Sequence, residues 1–335
     1  MRLLHARPFV PLRRAEALRP ARPSAFPHGE GFVMAVADPA APPPASGPFR
    51  LSPQEIALIV VTVVWGSTFL VVQHAMTLSG PFWFVALRFS LAGLLLAGVY
   101  WRSMLGLTRH ELIAGCAIGA AISVGYSLQT VGLQTIPSSK SAFITALYVP
   151  IVPLLQWAIL GRPPSLMNWL GVALAFFGLT LLAGPEAGSL SLGYGETVTL
   201  IGAAAISLEI ILISRYAPSV DARRVTAVQL LAAAVFSGFG GLATGEPLPN
   251  LSWMLIGIAA AMALASAVIQ LTMNWAQKSV SPTRATLIYA GEPVWAGIFG
   301  RLAGERLPGL AILGAAFVVA GVIVGEWRLK RRKSS

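Results

Sequence analysis

Charge is what this sequence has least of: 11% of its 335 residues are Asp, Glu, Lys or Arg, against roughly 25% in a soluble globular chain. That scarcity excludes an ordinary soluble enzyme. The single cysteine, Cys116, excludes an intramolecular disulfide and a cysteine-based metal site. Beyond the N-terminal region the only histidines are His74 and His110, and there is no HExxH, no GxSxG and no pair of aspartates. The hydrophobic part of the chain thus lacks a nucleophile with its base and lacks a metal cluster. No GxxxxGK phosphate loop occurs either, so an ATP-driven pump would need a separate ATPase subunit. No cofactor is expected.

Hydrophobic residues, by contrast, make up 56% of the chain. Runs of about 20 apolar residues, each able to cross a roughly 30 Å hydrocarbon core as a helix, fill most of the sequence after residue 55. The net charge of +11 lies in the tails and short connections, which marks membrane orientation signals and not a nucleic-acid footprint. Residues 1–52 are rich in Arg, Pro and Ala, do not build a core and read as a disordered tail; Met34 offers a later start, and an organelle transit sequence is the other reading.

Ten spans are predicted, at about 56–76, 82–101, 111–134, 140–160, 167–184, 195–216, 224–244, 252–276, 284–303 and 309–327. An even number puts both ends on one side. That side collects Arg50, Arg102, Arg109, Arg162, Arg215, Arg223, Arg224, Lys278, Arg284 and the basic tail at 328–335, whereas the other has Lys140, Arg301 and Arg306. The positive-inside rule then predicts cytoplasmic termini.

The chain also repeats itself. Pro150, Gly161, Gly171 and Gly178 are matched by Pro293, Gly304, Gly314 and Gly321 at one offset of 143 residues, which also carries Gln134 onto Gln277. Each half holds five spans, an odd number, so the halves (53–186 and 193–327) are predicted to lie in opposite senses. The expected fold is an all-α membrane protein of ten transmembrane helices in two inverted five-helix repeats. Such repeats hold a substrate near mid-membrane and alternate access by rocking.

The motifs carry a resemblance. VVWGSTFL at 63–70, WFVALRFSLAGLLL at 83–96, ALYVPIVPLL from Ala146 and YAGEPVWAGIFGRLAGERLPGLAILG from Tyr289 resemble the EamA-type transporters of the drug/metabolite transporter superfamily over about residues 56–326. The resemblance implies two five-helix bundles around a central cavity, a bacterial inner-membrane location, and movement of small metabolites such as amino acids without ATP. The exporting direction expected here comes from the resemblance alone. One departure is Gly161-Arg162-Pro163, where the family commonly has Gly-Glu, as in Gly304-Glu305.

An ionisable side chain at bilayer depth costs at least ~2.5–3.5 kcal/mol on insertion scales, so each asks for a partner or a wet cavity. Glu292 lies about 12 Å into the ninth span, beside Pro293, which frees carbonyls one turn earlier. Glu292 and Glu209 are the candidate proton carriers; the alternative for each is a structural pairing with a basic group. Arg88 in the second span offers a fork of donors to a substrate carboxylate or phosphate, or to a carboxylate such as Glu292. Lys140 and Arg284 open the helices bearing the repeated prolines and are candidate anion binders, unless they snorkel to opposite surfaces. Trp65, Ser67, Tyr126, Gln129, Tyr148, Gln270, Asn274, Trp275, Tyr289 and Trp295 are candidate cavity lining, with interfacial belts and interhelical bonding as the alternative. The Gly115/Gly119, Gly300/Gly304 and Gly321/Gly325 pairs read as close helix contacts.

The expected function is a secondary carrier: a small metabolite binds between the halves and Glu292 or Glu209 exchanges a proton. Its partners are that substrate, the bilayer and the coupling proton, with no nucleic acid. A passive channel, a lipid scramblase and, more remotely, an intramembrane enzyme are the rivals.

Overall fold

The computed structural model describes residues 51–160, 166–183, 192–306 and 309–325. The expected tails, apart from Leu51 and Ser52, lie outside the described residues, as does the Gly161-Arg162-Pro163 departure. Among the described residues all regular structure is helical: α1 (Pro53–Ala75), α2 (Pro81–Val99), the one-turn α3 (Trp101–Met104), α4 (Arg109–Gly132), α5 (Ser138–Thr145), α6 (Tyr148–Leu160), α7 (Leu166–Ala183), α8 (Tyr194–Tyr216), α9 (Ala222–Ala243), α10 (Trp253–Ala276), α11 (Pro282–Tyr289), α12 (Glu292–Leu302) and α13 (Gly309–Gly325). Among the described residues seven stretches are long and apolar enough to cross a membrane: α1, α2, α4, α5 with α6, α8, α9 and α10.

Helix starts follow local chemistry. Ser52 with Glu55, and Thr108 with Glu111, form reciprocal capping boxes that satisfy the first amides of α1 and α4. Asp221, Ser252 and Ser281 cap α9, α10 and α11. Proline at the first positions of α1, α2, α11 and α12 removes amides that would lack partners there.

Two expected spans are not continuous. The fourth breaks between α5 and α6, and the ninth between α11 and α12. Proline lacks an amide hydrogen and clashes with the carbonyl four residues back. Pro150 and Pro293 place that clash at Ala146 and Tyr289, and both breaks open there. Matching prolines thus give matching discontinuities.

The polarity of the packing is reversed relative to a soluble protein. Leu94, Val99, Ile113, Phe239 and Leu264 are exposed, while Ser127, Thr145, Glu209, Gln229, Gln270, Asn274 and Glu292 are buried. Water cannot be the solvent of such an outer surface. The helices close on one another through glycine. A Cβ on Gly119 of α4 would lie 2.5 Å from the Gln229 carbonyl oxygen of α9, and one on Gly202 of α8 would lie 2.9 Å from the Gly125 carbonyl oxygen of α4. The Gly115/Gly119 pair is therefore a contact within one chain.

Candidate functional site

The centre of the bundle is an aromatic cluster built around Trp65 of α1. Its indole stacks on Tyr126 of α4 and on Tyr148 of α6, each at 6.4 Å between ring centroids, and meets Tyr289 of α11 edge-on at 5.7 Å. All four are buried. Because Tyr148 and Tyr289 flank the two helix breaks, the breaks direct one tyrosine from each half onto the same tryptophan.

The breaks also position a carboxylate. Glu292 is the first residue of α12 and Tyr148 the first of α6, and the Tyr148 hydroxyl donates to Glu292 Oε2 at 2.9 Å. Glu292 Oε1 is buried without a hydrogen-bond partner. Near Tyr289, Gln277 Nε2 donates to the phenol oxygen at 3.1 Å, and Gln277 Oε1 has no partner.

Glu209 of α8 ends a polar column. Gln270 Nε2 donates to Glu209 Oε1 at 2.8 Å, Gln229 Nε2 to Gln270 Oε1 at 2.7 Å, and Asn274 Nδ2 to both Gln229 Oε1 and Thr226 Oγ1 at 3.1 Å. Glu209 Oε2 and Asn274 Oδ1 remain unpartnered. Buried polar atoms are nearly always paired, so these four unmatched carboxylate and amide oxygens, with the Ser141 hydroxyl of α5 as a fifth unpartnered group, need an explanation.

Arg88 of α2 is 3% exposed. Its Nε donates to Ser266 Oγ at 2.9 Å, and its guanidinium lies over the rings of Phe89 and Tyr126 at 4.7 and 5.1 Å. Among the described residues the alternative pairing with Glu292 is not formed: the guanidinium is held instead by Ser266 and the two rings. Gln129 donates to Thr145 Oγ1 at 3.1 Å, joining α4 to the end of α5.

Trp65, Arg88, Tyr126, Tyr148, Gln270, Asn274, Tyr289, Glu209 and Glu292 are all buried in this core, and Gln129 borders it. Trp275 is not part of it, being 42% exposed on the outer surface. Lys140 and Arg284 are not brought together. Lys140 Nζ pairs with Glu196 at 2.7 Å, and Arg284 pairs with Glu55. The two helices they open start from opposite ends of the bundle, so no common anion pocket forms between them.

Several contributors were not legible beforehand. Glu55 and Glu196 look like ordinary first-turn acids, and Gln229 and Ser266 sit in apolar runs without a neighbouring charge. Glu305 was legible only as half of a Gly-Glu motif. In the structure it accepts from the amide and hydroxyl of both Ser138 and Ser139, at 2.5–3.1 Å, closing the start of α5 from the other half of the chain. Burial raises the Glu305 carboxyl, but these four hydrogen bonds outweigh it and hold the group below the usual carboxylate range.

A cavity of about 850 Å³ lies apart from the core, between α5, α12 and α13; Phe143, Val294, Ile298, Ala315 and Val319 line it, with Arg301 and Glu305 at its rim.

The chain matches the EamA-like transporter family twice, over residues 53–184 and 193–325. It is similar to an uncharacterized transporter of Archaeoglobus fulgidus, 27% identical over 276 residues covering 82% of this chain and 86% of that one. It is also similar to the uncharacterized inner membrane transporter YedA of Escherichia coli, 29% identical over 285 residues and covering 82% and 91%. The uncharacterized transporter YoaV of Bacillus subtilis is 21% identical over 287 residues, covering 83% and 98%. A protein of known crystal structure shares the fold at a TM-score of 0.61 with 18% identity, covering 81% of this chain and 95% of that one. A twofold family match, an apolar exterior and a buried polar core agree: the chain is a multi-pass membrane protein of the EamA-like transporter family, a transporter and not an enzyme.

Proposed function

We propose that the protein is a secondary carrier of small amine-bearing metabolites such as amino acids, exporting them across a bacterial inner membrane by alternating access. In this reading ten spans form two inverted five-helix repeats, 53–186 and 193–327, with both termini cytoplasmic, an Arg-, Pro- and Ala-rich tail at 1–52 and a basic tail at 328–335. The paired helix breaks and the 143-residue offset support that arrangement.

The carrying observation is the set of unmatched oxygens. Glu209 Oε2, Glu292 Oε1, Asn274 Oδ1 and Gln277 Oε1 are all acceptors, buried around an aromatic cluster. What enters must therefore donate: a proton, an ammonium group or both. Aromatic faces add cation–π attraction for an ammonium, and the Arg88 guanidinium offers donors to a carboxylate. Together these fit a zwitterion. Trp65, Tyr126, Tyr148, Tyr289, Gln129, Gln270, Asn274 and Arg88 form the substrate site. Glu292 or Glu209 exchanges the coupling proton, and the geometry favours Glu292, whose hydrogen-bond partner Tyr148 comes from the other half of the chain.

The test is proton flux into proteoliposomes containing the purified chain, read with an internal pH dye, across amino acids, sugars, nucleosides and organic anions. A saturable signal for amine-bearing compounds is expected. Flux that rises without saturation and shows no exchange points to a channel, and silence in both proton flux and labelled counterflow removes the carrier reading.

A further inference from the structure

Four residues at the ends of the bundle form a pattern that the central site does not use. Lys140 is the third residue of α5 and pairs with Glu196, the third residue of α8. Arg284 is the third residue of α11 and pairs with Glu55, the third residue of α1. In both cases the cation opens a helix that stops at a break. In both cases the acid opens the first helix of the other family match, 193–325 or 53–184. Each pair thus ties one half of the chain to the other.

The two pairs lie at opposite ends. Gln73, near the end of α1, donates to the Ile136 carbonyl just ahead of α5 at 3.1 Å, so the start of α5 sits by the far end of α1. Glu55 and Gln73 are separated by about 27 Å of helix at 1.5 Å per residue. Between the two ends lies the closed aromatic core, with Trp65, Tyr148, Tyr289, Glu209 and Glu292 at 0–1% exposure.

We infer that Lys140–Glu196 and Arg284–Glu55 are the two closures of the transport path, broken one at a time as access alternates. The inference rests on the alternating-access reading above. Glu305 explains where the first seam yields. Its four hydrogen bonds bind the start of α5 to the end of α12, so α5 travels with α12. The Lys140–Glu196 pair then lies across the α5–α8 seam. In the sequence, the position that matches Glu305 at the 143-residue offset is Arg162, so the repeat carries this carboxylate only once. Opening one end leaves the opposite pair intact, which is what keeps such a path from opening at both ends. The closures are not equal, because the Arg284 side chain is 62% exposed and the Lys140 side chain 17%. Solvent screens the former more, so the Lys140 pair is the stronger.

The experiment uses the full chain with Cys116→Ser and a reporter Ala146→Cys at the α5–α6 break, in proteoliposomes of defined orientation. A membrane-impermeant maleimide is applied from either face. Glu→Gln is the chosen change because glutamine still serves the helix-capping role of the third position while removing the charge. Glu196→Gln is expected to raise labelling from the Lys140 face about threefold and lower it from the other, and Glu55→Gln to do the reverse by a smaller factor. Lys140→Gln and Arg284→Gln should reproduce their partners, each double variant should add nothing, and the exchange of Lys140→Glu with Glu196→Lys should restore the parent ratio. Unchanged labelling, or a change of the same sign at both faces, overturns the inference. Labelling needs no substrate: a face-specific shift without coupled flux keeps the closures and loses the carrier, and coupled flux without a shift does the opposite.

Discussion

Proton coupling through Glu292 makes a quantitative demand on Glu292→Gln. Glutamine has nearly the same shape and still accepts the Tyr148 hydroxyl hydrogen bond (2.9 Å in the native chain) through its amide oxygen, so the core should keep its packing. It cannot take up or release a proton. One proton exchanged per substrate across a pH difference of one unit is a free-energy difference of about 1.4 kcal/mol, which sustains about a tenfold concentration ratio. With the membrane potential clamped at zero, the parent protein should therefore hold an amine-bearing substrate near tenfold across proteoliposomes carrying that gradient. In Glu292→Gln the ratio should fall to one, while counterflow between equal pH values continues. Glu209→Gln should retain the tenfold ratio but bind substrate less tightly, because Glu209 is anchored by Gln270 at 2.8 Å at the end of the amide column. The assay is radiolabelled uptake at steady state with and without the pH difference. A ratio near ten in the double change Glu292→Gln with Glu209→Gln would refute the coupling outright.

Further consequences follow from named contacts. Tyr148→Phe removes the hydroxyl that donates to Glu292; leaving a buried carboxyl oxygen without its donor costs about 1–3 kcal/mol, so the thermal midpoint in detergent should drop by several degrees, and an unchanged midpoint contradicts the contact. Arg88→Lys keeps the charge but loses the fork and the Nε–Ser266 bond; the substrate KM should rise about tenfold with kcat less affected, and an unaltered KM removes Arg88 from the site. Gly119→Val forces side-chain atoms against the Gln229 carbonyl, which already lies 2.5 Å from where a Cβ would sit; overpacking costs about 1–3 kcal/mol, and the folded fraction by size-exclusion chromatography should fall. Glu305 has its carboxyl held below the usual value of 4.5 in the folded chain; its contribution is therefore present above that value and lost as pH falls through the lower folded value. Glu305→Ala should flatten stability against pH in that acidic window, and an identical profile would show that the α5 cap contributes nothing.

Much was legible in the sequence because membrane burial is a composition rule. A segment that must satisfy its own backbone in hydrocarbon has to be a helix of about 20 apolar residues, so the all-helical, membrane-spanning character follows from residue types alone. The two proline–glycine series marked the repeat, but the spans that carry Pro150 and Pro293 read as continuous from residue types; the structure shows a break one turn ahead of each proline, while Pro153 stays within α6. Buried ionisable groups such as Glu209, Glu292 and Arg88 stood out because an apolar run makes any charge conspicuous. What remained hidden was pairing. Glu55, Glu196 and Glu305 all lie where acids cap helices for local reasons, and nothing local says that the first two also hold Arg284 and Lys140 of the other half. Trp275 shows the converse, because an aromatic residue has the same letter whether it faces the core or the lipid.

The sequence by itself determined that this chain crosses a membrane, that its two halves repeat, and roughly where its spans begin, since these depend on hydrophobicity and on residues near one another in the chain. The tertiary structure decided which residues face one another across the repeats. Tyr148 with Glu292, Glu305 with Ser138 and Ser139, and the two ion pairs at opposite ends join positions well over a hundred residues apart, except Lys140 and Glu196 at 56. Contacts of that range are set by how whole helices pack, through close approaches such as Gly119 against Gln229, and a string of residue types carries no coordinate for that.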